Sequence, residues 1–547
     1  MKIKLLLVCF LLVGCSSKPE DAAEVKPWFT DEAEDRGVDF VFESGFKEFP
    51  YNPEIISGGV AMLDVDGDED VDIYFVQGGS ITNPKQTTFS NQLFLNDGAG
   101  HFTNETVGSG AGDTSYGTGV TTGDYDNDGD VDMYITNVDA NVLLRNEGNG
   151  TFVDVTDTAG VGDSRWSTSS AFFDMDNDGD LDLFVANYIE WSCETELECK
   201  AKSGRLDYCH PQAYRAPAKD LLYRNNGDGT FTDVSVVSGI RSVWGNGLGV
   251  AVGDVNDDGY FDVLVANDKM NNQLWINQGD GTFIDDAMVS GVAVDANGEP
   301  KAGMGTDFAD VNNDGLLDLL IVNLFGETDS LFVNKGGWFR DGTPMSGLSS
   351  ISRSYTRFGT GFRDLNNDGF LDFYLSNGSV RLPDVISTDD PYAEENVLVK
   401  GNKLGRFTEV LPKGGVINQV PRTSRGIAYG DVNGDGAVDI VVQNRDAPPY
   451  LLINQNLEGG GFVQLRLLNK YGAPIQNGVV RFNLGQTAMR REVQTSGGYC
   501  SAHDPTLHIG VGDAKSITDV VITWPDGTKQ QIADVITGET VVISQTK

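Results

Sequence analysis

The sequence predicts an all-β fold, with seven small four-stranded sheets arranged as blades around an axis and a small β domain at the C-terminal end. Three observations carry that prediction. A nine-residue acidic pattern occurs seven times, at spacings of 60, 50, 80, 56, 54 and 67 residues. Behind the first six copies stands a Phe followed eight positions later by a Gly. The same Phe/Gly pair also stands once ahead of the first copy and is missing behind the last. A fixed internal period marks a repeat architecture, and the mismatch between the two ends marks closure.

Taken in chain order, the acidic copies are DVDGDEDVD from Asp64, DYDNDGDVD from Asp124, DMDNDGDLD from Asp174, DVNDDGYFD from Asp254, DVNNDGLLD from Asp310, DLNNDGFLD from Asp364 and DVNGDGAVD from Asp431. Small, Gly-rich residues come before them, as in YGTGVTTG, WGNGLGVAVG and FGTGF. An apolar run rich in β-branched residues comes directly after, as in DMYITN or DVLVAN, and reads as a strand. In six copies an Asn falls thirteen positions after the first Asp (Asn137, Asn187, Asn267, Asn323, Asn377 and Asn444). Next come a second strand and an Asn/Asp-Gly turn, as in LLRNEGNGTF and QLWINQGDGTF, which is a hairpin signal. The Phe/Gly pairs are Phe102/Gly110, Phe152/Gly160, Phe231/Gly239, Phe283/Gly291, Phe339/Gly347 and Phe407/Gly415, with Phe29/Gly37 ahead of the first loop. An N-terminal strand near Phe29 therefore completes the seventh blade, and closing the ring removes two exposed sheet edges. The fold predicted is a seven-bladed β-propeller over residues 28–458, with a β domain over 459–547.

The acidic loops are expected to bind a cation. The chain carries 81 Asp+Glu against 39 Lys+Arg, a net charge of −42. That balance excludes a nucleic-acid partner, because phosphate binding needs a basic footprint. Oxygen ligands at alternate positions suit Ca2+, which accepts six to eight oxygens in flexible geometry. Position one is Asp64, Asp124, Asp174, Asp254, Asp310, Asp364 or Asp431, and position three is Asp66, Asp126, Asp176, Asn256, Asn312, Asn366 or Asn433. Position five is Asp68, Asp128, Asp178, Asp258, Asp314, Asp368 or Asp435. Position nine is Asp72, Asp132, Asp182, Asp262, Asp318, Asp372 or Asp439. Position seven varies freely (Asp70, Asp130, Asp180, Tyr260, Leu316, Phe370 and Ala437), as a backbone-carbonyl ligand allows. Gly at position six supplies a turn with unrestricted φ, except in the first loop, where Glu69 stands there and Gly67 sits at position four. The pattern is not an EF-hand, since position twelve is apolar, as at Ile135 and Val442. Loops one to three offer four ligand carboxylates and loops four to seven only three, so tighter binding is expected in the first group. Up to seven structural Ca2+ are expected, and they would leave a strongly acidic surface suited to neutral or basic partners.

Residues 1–14 read as an export leader, with Lys2 and Lys4 ahead of an apolar stretch too short to span a bilayer. Leu12-Val13-Gly14-Cys15 resembles the lipobox of bacterial lipoproteins, which implies lipidation of Cys15 and a polar tether over 15–27. A bacterial cell-envelope location follows, at the outer membrane or cell surface. Cys193, Cys199 and Cys209 lie in one insertion, Tyr188–Asp220, and are the disulfide candidates. Which two of them pair stays open, and one thiol is left over. A metal site of these three with His210 is the alternative reading, although the spacing fits no common zinc pattern. The remaining His (His101, His503 and His508) accompany no known catalytic motif. His503-Asp504 is the one adjacent acid/base pair. Nothing in the sequence demands an enzyme.

The seven-fold pattern resembles the FG-GAP/VCBS repeat. The tail resembles the ASPIC/UnbV domain of the cartilage acidic protein family through Gly472-Ala473, Arg491-Glu492-Val493, His508-Ile509-Gly510-Val511-Gly512 and Trp524-Pro525-Asp526-Gly527. That resemblance implies Ca2+-loaded blades and leaves activity undefined. The function expected is a surface binding module for a protein or glycan, with Tyr188–Asp220 and Gly378–Asn396 as contact loops. The alternatives are a propeller enzyme acting on extracellular polysaccharide and a scaffold subunit of an envelope assembly.

Overall fold

The computed structural model describes residues 26–82, 88–456 and 459–546. The leader, Cys15 and most of the tether lie outside the described residues. Among the described residues no helix is long and apolar enough to cross a membrane.

The chain forms a succession of four-stranded antiparallel sheets, each with one acidic loop between its first and second strands. The second sheet is representative, with strands Gly117–Gly123, Asp132–Asn137, Val142–Asn146 and Phe152–Asp154. Its Asn/Asp-rich loop, apolar second strand and Asn-Gly hairpin turn fall where the repeat places them. The last such sheet has only three consecutive strands of its own, Ser424–Gly430, Asp439–Asn444 and Tyr450–Asn454, and Phe29–Asp31 supplies the fourth. Phe29 pairs with Asn454 and Asp31 with Leu452, antiparallel. The expected loan of the N-terminal strand is thus present.

Apolar side chains fill layers between successive sheets, as in packed β-sheets generally. Val120, Met133 and Leu144 of the second sheet meet Leu63 and Tyr74 of the first. Ala428, Val441 and Leu451 of the last sheet meet Val60, Met62 and Phe94 of the first. The Gly-rich runs ahead of each loop also have a packing reason. A Cβ on Gly305 would lie 2.1 Å from the Phe358 carbonyl oxygen, and one on Gly426 would lie 2.5 Å from that of Gly58. Only glycine lets the first strands of adjacent sheets come this close.

An Asn at the end of the third strand ties the sheets together on the side of the acidic loops. Asn146 donates through Nδ2 to Val131 O in its own loop and to Val65 O in the preceding one, at 3.1 and 2.8 Å. Asn225, Asn277, Asn334 and Asn454 repeat the arrangement. Asn96 joins the first loop to the last, through Val71 O and Val432 O. In the sixth sheet Gly401 stands at this place and its N–H bonds Asp372. The sequence reading takes these Asn residues only as part of the hairpin turns, so their bridging role is an addition.

Residues from Gly461 onward form two small sheets. One holds Leu507–Gly512, Gly461–Leu468 and Glu539–Ser544, and the other is centred on Val479–Leu484 and Ser516–Thr523. Trp524, Val480, Ile509 and Ile522 lie in the core between them. This unit is not a simple appendage. Ser496–Gly497 and Ser501–Ala502 leave it and join the first sheet, with Ala502 pairing parallel to Ala61. Gly498 bridges to Thr306 of the fifth sheet. Tyr499 and Cys500, between these two contacts, are buried among the first strands.

Replacing Asn146 with Ala leaves the Val65 and Val131 carbonyls buried without their donor, and the expected loss of stability is about 2–4 kcal/mol. Urea denaturation measures it, and a loss below about 0.5 kcal/mol would contradict the bridging role.

Candidate metal centres

Each acidic loop is built from inside outward by its own carboxylates. The position-nine Asp is buried and accepts two backbone N–H groups, one from its own loop and one from the end of the third strand. Asp132 accepts from Tyr125 at 3.1 Å and from Asn146 at 2.8 Å. Asp72, Asp182, Asp262, Asp372 and Asp439 do the same. Asp318 takes the Asn334 N–H and, in place of the second backbone bond, the Asn312 amide. The position-one Asp holds the turn: Asp174 accepts the N–H groups of Asp178 and Gly179 at 3.2 and 2.8 Å. The position-five Asp accepts the N–H of position seven, as Asp178 does from Asp180 at 2.9 Å.

The loops of the first three sheets each bring three carboxylates together. Ligand oxygens of Asp64, Asp66 and Asp72 lie within 4.8 Å of one another, as do those of Asp124, Asp126 and Asp132, and of Asp174, Asp176 and Asp182. In each set one buried oxygen has no hydrogen-bond donor, namely Asp66 Oδ1, Asp126 Oδ1 or Asp176 Oδ1. Burial pushes Asp72 up to about 8 and Asp124 and Asp174 up to about 7. Burial also holds Asp132 and Asp182 well above the carboxylate range. Convergent buried oxygens with no donor and a raised cost of ionisation are what a cation would satisfy. These residues fit a hard divalent ion.

In the later loops the position-three residue is Asn. The amide of Asn256 donates to Asp258 Oδ2 at 2.8 Å, and that of Asn433 to Asp435 Oδ2 at 3.0 Å. Their carboxylate sets are correspondingly smaller, in line with the ligand count of the sequence. The first loop keeps the shared conformation despite its departure: Glu69 has φ 75° where Gly129 has 107° and Gly179 has 92°. The backbone thus tolerates Glu69 in the left-handed region that the other loops give to glycine.

The C-terminal unit covers the ends of the sheets that bear the acidic loops. Arg466 pairs with Asp64 at 2.5 Å and Arg481 with Asp257 at 2.5 Å. Gln464 donates to Asp431 at 2.9 Å and Asn469 to Asp124 at 3.5 Å. Arg490 reaches the carbonyls of Asp254 and Gly315, and Arg491 that of Gly369. The charge of Lys470 bears on Asp180. All seven loops therefore meet this unit, a contact the sequence reading did not anticipate. Its signal was a cluster of Arg in the tail of a strongly acidic chain.

The opposite ends of the sheets carry the long connections. Cys199 and Cys209 form the disulfide of the insertion, and Cys193 is free and exposed. The bonded pair rules out the cysteine-histidine metal set. Asp207 of the insertion accepts from the N–H of Leu382 and the hydroxyl of Tyr392, so the two expected contact loops are joined. Beneath them lies a small cavity of about 40 Å³ whose wall includes Ile56, Tyr188, Met304 and Phe358. His503 is buried with no hydrogen bond to either ring nitrogen, which leaves it no accessible acid/base role. His101 sits exposed beside Asp97 and His508 bonds Asn367.

Repeated four-stranded sheets, each with an acidic loop at the same corner, define a propeller-type repeat protein with candidate metal centres. The FG-GAP-like repeat matches residues 64–135, 124–185, 212–265, 254–321 and 310–375, and the ASPIC and UnbV domain matches residues 477–547. The chain belongs to the FG-GAP-like repeat family and carries a C-terminal ASPIC/UnbV domain. It is 29% identical over 328 residues to cartilage acidic protein 1 of Homo sapiens, across 56% of this chain and 45% of that protein. The Mus musculus protein is likewise 29% identical, over 316 residues, across 54% and 44%. The chain spans less than half the length of these curated relatives. Among solved structures it is similar to an Agrocybe aegerita lectin specific for non-reducing terminal N-acetylglucosamine, at 16% identity over 72% of this chain and 86% of that one, TM-score 0.39. A Burkholderia pseudomallei lectin aligns at 11% identity over 73% and 96%, TM-score 0.44.

Replacing Glu69 with Gly removes the left-handed strain and is expected to stabilise the protein by about 1 kcal/mol. Gly129→Ala is expected to cost about as much. Chemical denaturation of both variants checks this, and an unchanged or lowered midpoint for Glu69→Gly would contradict it.

Proposed function

We propose that the chain is a closed seven-bladed β-propeller, pinned by Ca2+ in its acidic loops, that serves as a lipid-anchored, exported binding module for a protein or glycan. Its ligand face is the one opposite the acidic loops. The observation that carries this reading is the division of the two faces. The acidic loops are covered by the chain's own C-terminal unit, whereas the opposite face presents the joined insertion loops around a cavity. Rigid scaffolds commonly carry function on such loops. Closure is supported by the Phe29–Asp31 strand, by the Asn96 bridge between first and last loops and by the packing of the last sheet on the first. Calcium is supported by all-oxygen ligand sets at alternate positions of each loop, with three orphaned carboxylate oxygens. Envelope localisation and anchoring through Cys15 rest on the leader sequence alone.

Asp64, Asp66, Asp68 and Asp72, together with their counterparts in the other loops, would hold the ion. The ion supplies positive charge that lets these buried carboxylates ionise. What the chain itself does is arrange them: positions one and five fix the turn by accepting backbone N–H groups, and position nine ties the loop to the third strand. Binding energy at such sites becomes folding energy.

Two measurements test the reading. Chelation is expected to lower the melting temperature markedly, and by more at pH 8 than at pH 5. The sign follows from the carboxyls of Asp72, Asp124 and Asp174, which burial raises from the ordinary 3.8 to about 8, 7 and 7. Without a cation the native state holds protons that the unfolded chain has released, so stability falls as pH rises between those values. Excess Ca2+ should remove that fall, because the ion binds the ionised form. An unchanged melt in chelator contradicts the ion's role. For the binding face, protein and glycan arrays probed with the Ca2+-loaded protein should give signals that a substitution at Arg381, exposed in the 378–396 loop beside the cavity, weakens as Arg381→Glu and that Arg481→Glu leaves intact, and the reverse pattern would contradict the assignment.

A further inference from the structure

The outer edge between the fifth and sixth sheets departs from the repeat. In the second, third and sixth sheets the residue directly after the fourth strand is Val155, Val234 or Val410, and each packs into the apolar layer toward the next sheet. Gly342 stands at that place in the fifth sheet. A Cβ there would lie 2.6 Å from Val333 Cγ2, so the glycine leaves the third-strand side chains facing an open groove. The groove has a volume of about 350 Å³, within the range of small-ligand sites. Buried Leu331 and half-buried Val333 line it, together with the exposed Met345 and Leu404.

Three cationic side chains line the same groove, Lys335, Arg340 and Arg406. The corresponding places in the first four sheets carry neither Lys nor Arg. Where Lys335 follows Asn334, those sheets have Asp97, Glu147, Asn226 and Gln278. Where Arg340 follows Phe339, they have Thr103, Val153, Thr232 and Ile284. Where Arg406 precedes Phe407, they have His101, Thr151, Thr230 and Thr282. The last three hold their turns by a hydroxyl bond to Asn149, Asp228 or Asp280. An arginine gives up that bond, so turn stability does not account for Arg406.

Among the described residues of the wall, Asp314 is the one carboxylate, and it is already engaged. Its Oδ1 accepts the Leu316 N–H at 3.2 Å, and its Oδ2 lies 3.4 Å from Lys335 Nζ. Arg340 and Arg406 have no side-chain hydrogen bond or ion pair among the described residues. In a chain of net charge −42, two unpaired guanidiniums on one groove are a local reversal of sign. A cationic ligand would meet both of them and Lys335, with no free carboxylate to offset the repulsion. Guanidinium forks match oxyanions through paired N–H donors. The apolar wall adds a place for a body attached to the charged group.

We propose that this groove binds a small organic oxyanion, either a carboxylate or a sulfate or phosphate monoester. Its charged group sits on Arg340 and Arg406, and its apolar body lies against Leu331, Val333 and Met345. The site stands apart from the far face and does not rest on the reading of that face.

The test uses the full, Ca2+-loaded chain with benzoate, phenyl sulfate and phenyl phosphate, which share one ring and differ in the oxyanion. Benzylammonium and benzyl alcohol are the cationic and neutral controls, and inorganic sulfate is an oxyanion without a body. Calorimetry and saturation-transfer NMR should show at least one aromatic anion binding with a Kd of about 1 mM or below, more tightly than any control. High salt should weaken that binding, and the arm that binds identifies the oxyanion. Arg340→Thr and Arg406→Thr install a residue that other sheets carry at these places, and both positions are exposed. Their melting temperatures should stay unchanged, while each weakens binding about tenfold or more, the worth of hydrogen bonds to a charged group. Lys202→Gln, at an exposed lysine of the insertion, should leave binding unchanged. The proposal is overturned if no aromatic anion binds at about 10 mM or if a control binds as tightly as the best anion. It is equally overturned if either arginine variant binds as the parent does, or if Lys202→Gln weakens binding as much as they do.

Discussion

The structure depends on holding carboxylates close together and out of water. Each repeat sheet carries, between its first and second strands, a loop that packs several acids into nine residues, and the deepest of them is needed for the fold. Its two oxygens take backbone N–H groups from the loop and from the third strand, so deleting it would free a corner of the sheet. An apolar residue there would leave those donors unsatisfied, and a buried carboxylate without a counter-charge is costly. Neutralising these acids is therefore a condition of folding, and the convergence of orphaned oxygens in the first three loops marks where a cation would meet it.

The same constraint divides the molecule into two faces. Basic and amide side chains of the C-terminal unit sit on the acidic loops, with Arg466, Arg481, Arg490 and Arg491 between them reaching the first, fourth, fifth and sixth sheets. That unit then sends Ser496–Ala502 among the first strands, where Tyr499 supports the cavity on the other side. One segment therefore connects the charged face to the cavity floor, which explains why Tyr499 and Cys500 are among the most buried residues of the tail. The long connections, freed from holding the acidic loops, are available for recognition.

Much of this architecture is legible from local pattern. The repeat spacing, the second strands and the hairpins follow from residues within about thirty positions of each other, and the N-terminal strand follows from counting Phe/Gly pairs at the two ends. Three features are not legible in that way. The third-strand Asn looks like ordinary turn chemistry, because its second bond goes to a loop in a neighbouring sheet. The entry of Ser496–Ala502 leaves no local trace, since pairing Ala502 with Ala61 links residues hundreds of positions apart. The docking of the tail on the acidic loops needed the tail's arginines to be set against the whole chain's charge. Among the cysteines, the pairing of Cys199 with Cys209 rather than Cys193 was decided by loop geometry that spacing alone does not encode.

The most direct test of the central claim is a crystal structure of the protein grown with Ca2+ and recorded at a wavelength that reveals its anomalous scattering. The account predicts an anomalous peak in each acidic loop, strongest in the three loops from Asp64, Asp124 and Asp174, with carboxylate oxygens at about 2.3–2.6 Å. Loops that keep their carboxylates converged with no peak between them would contradict it.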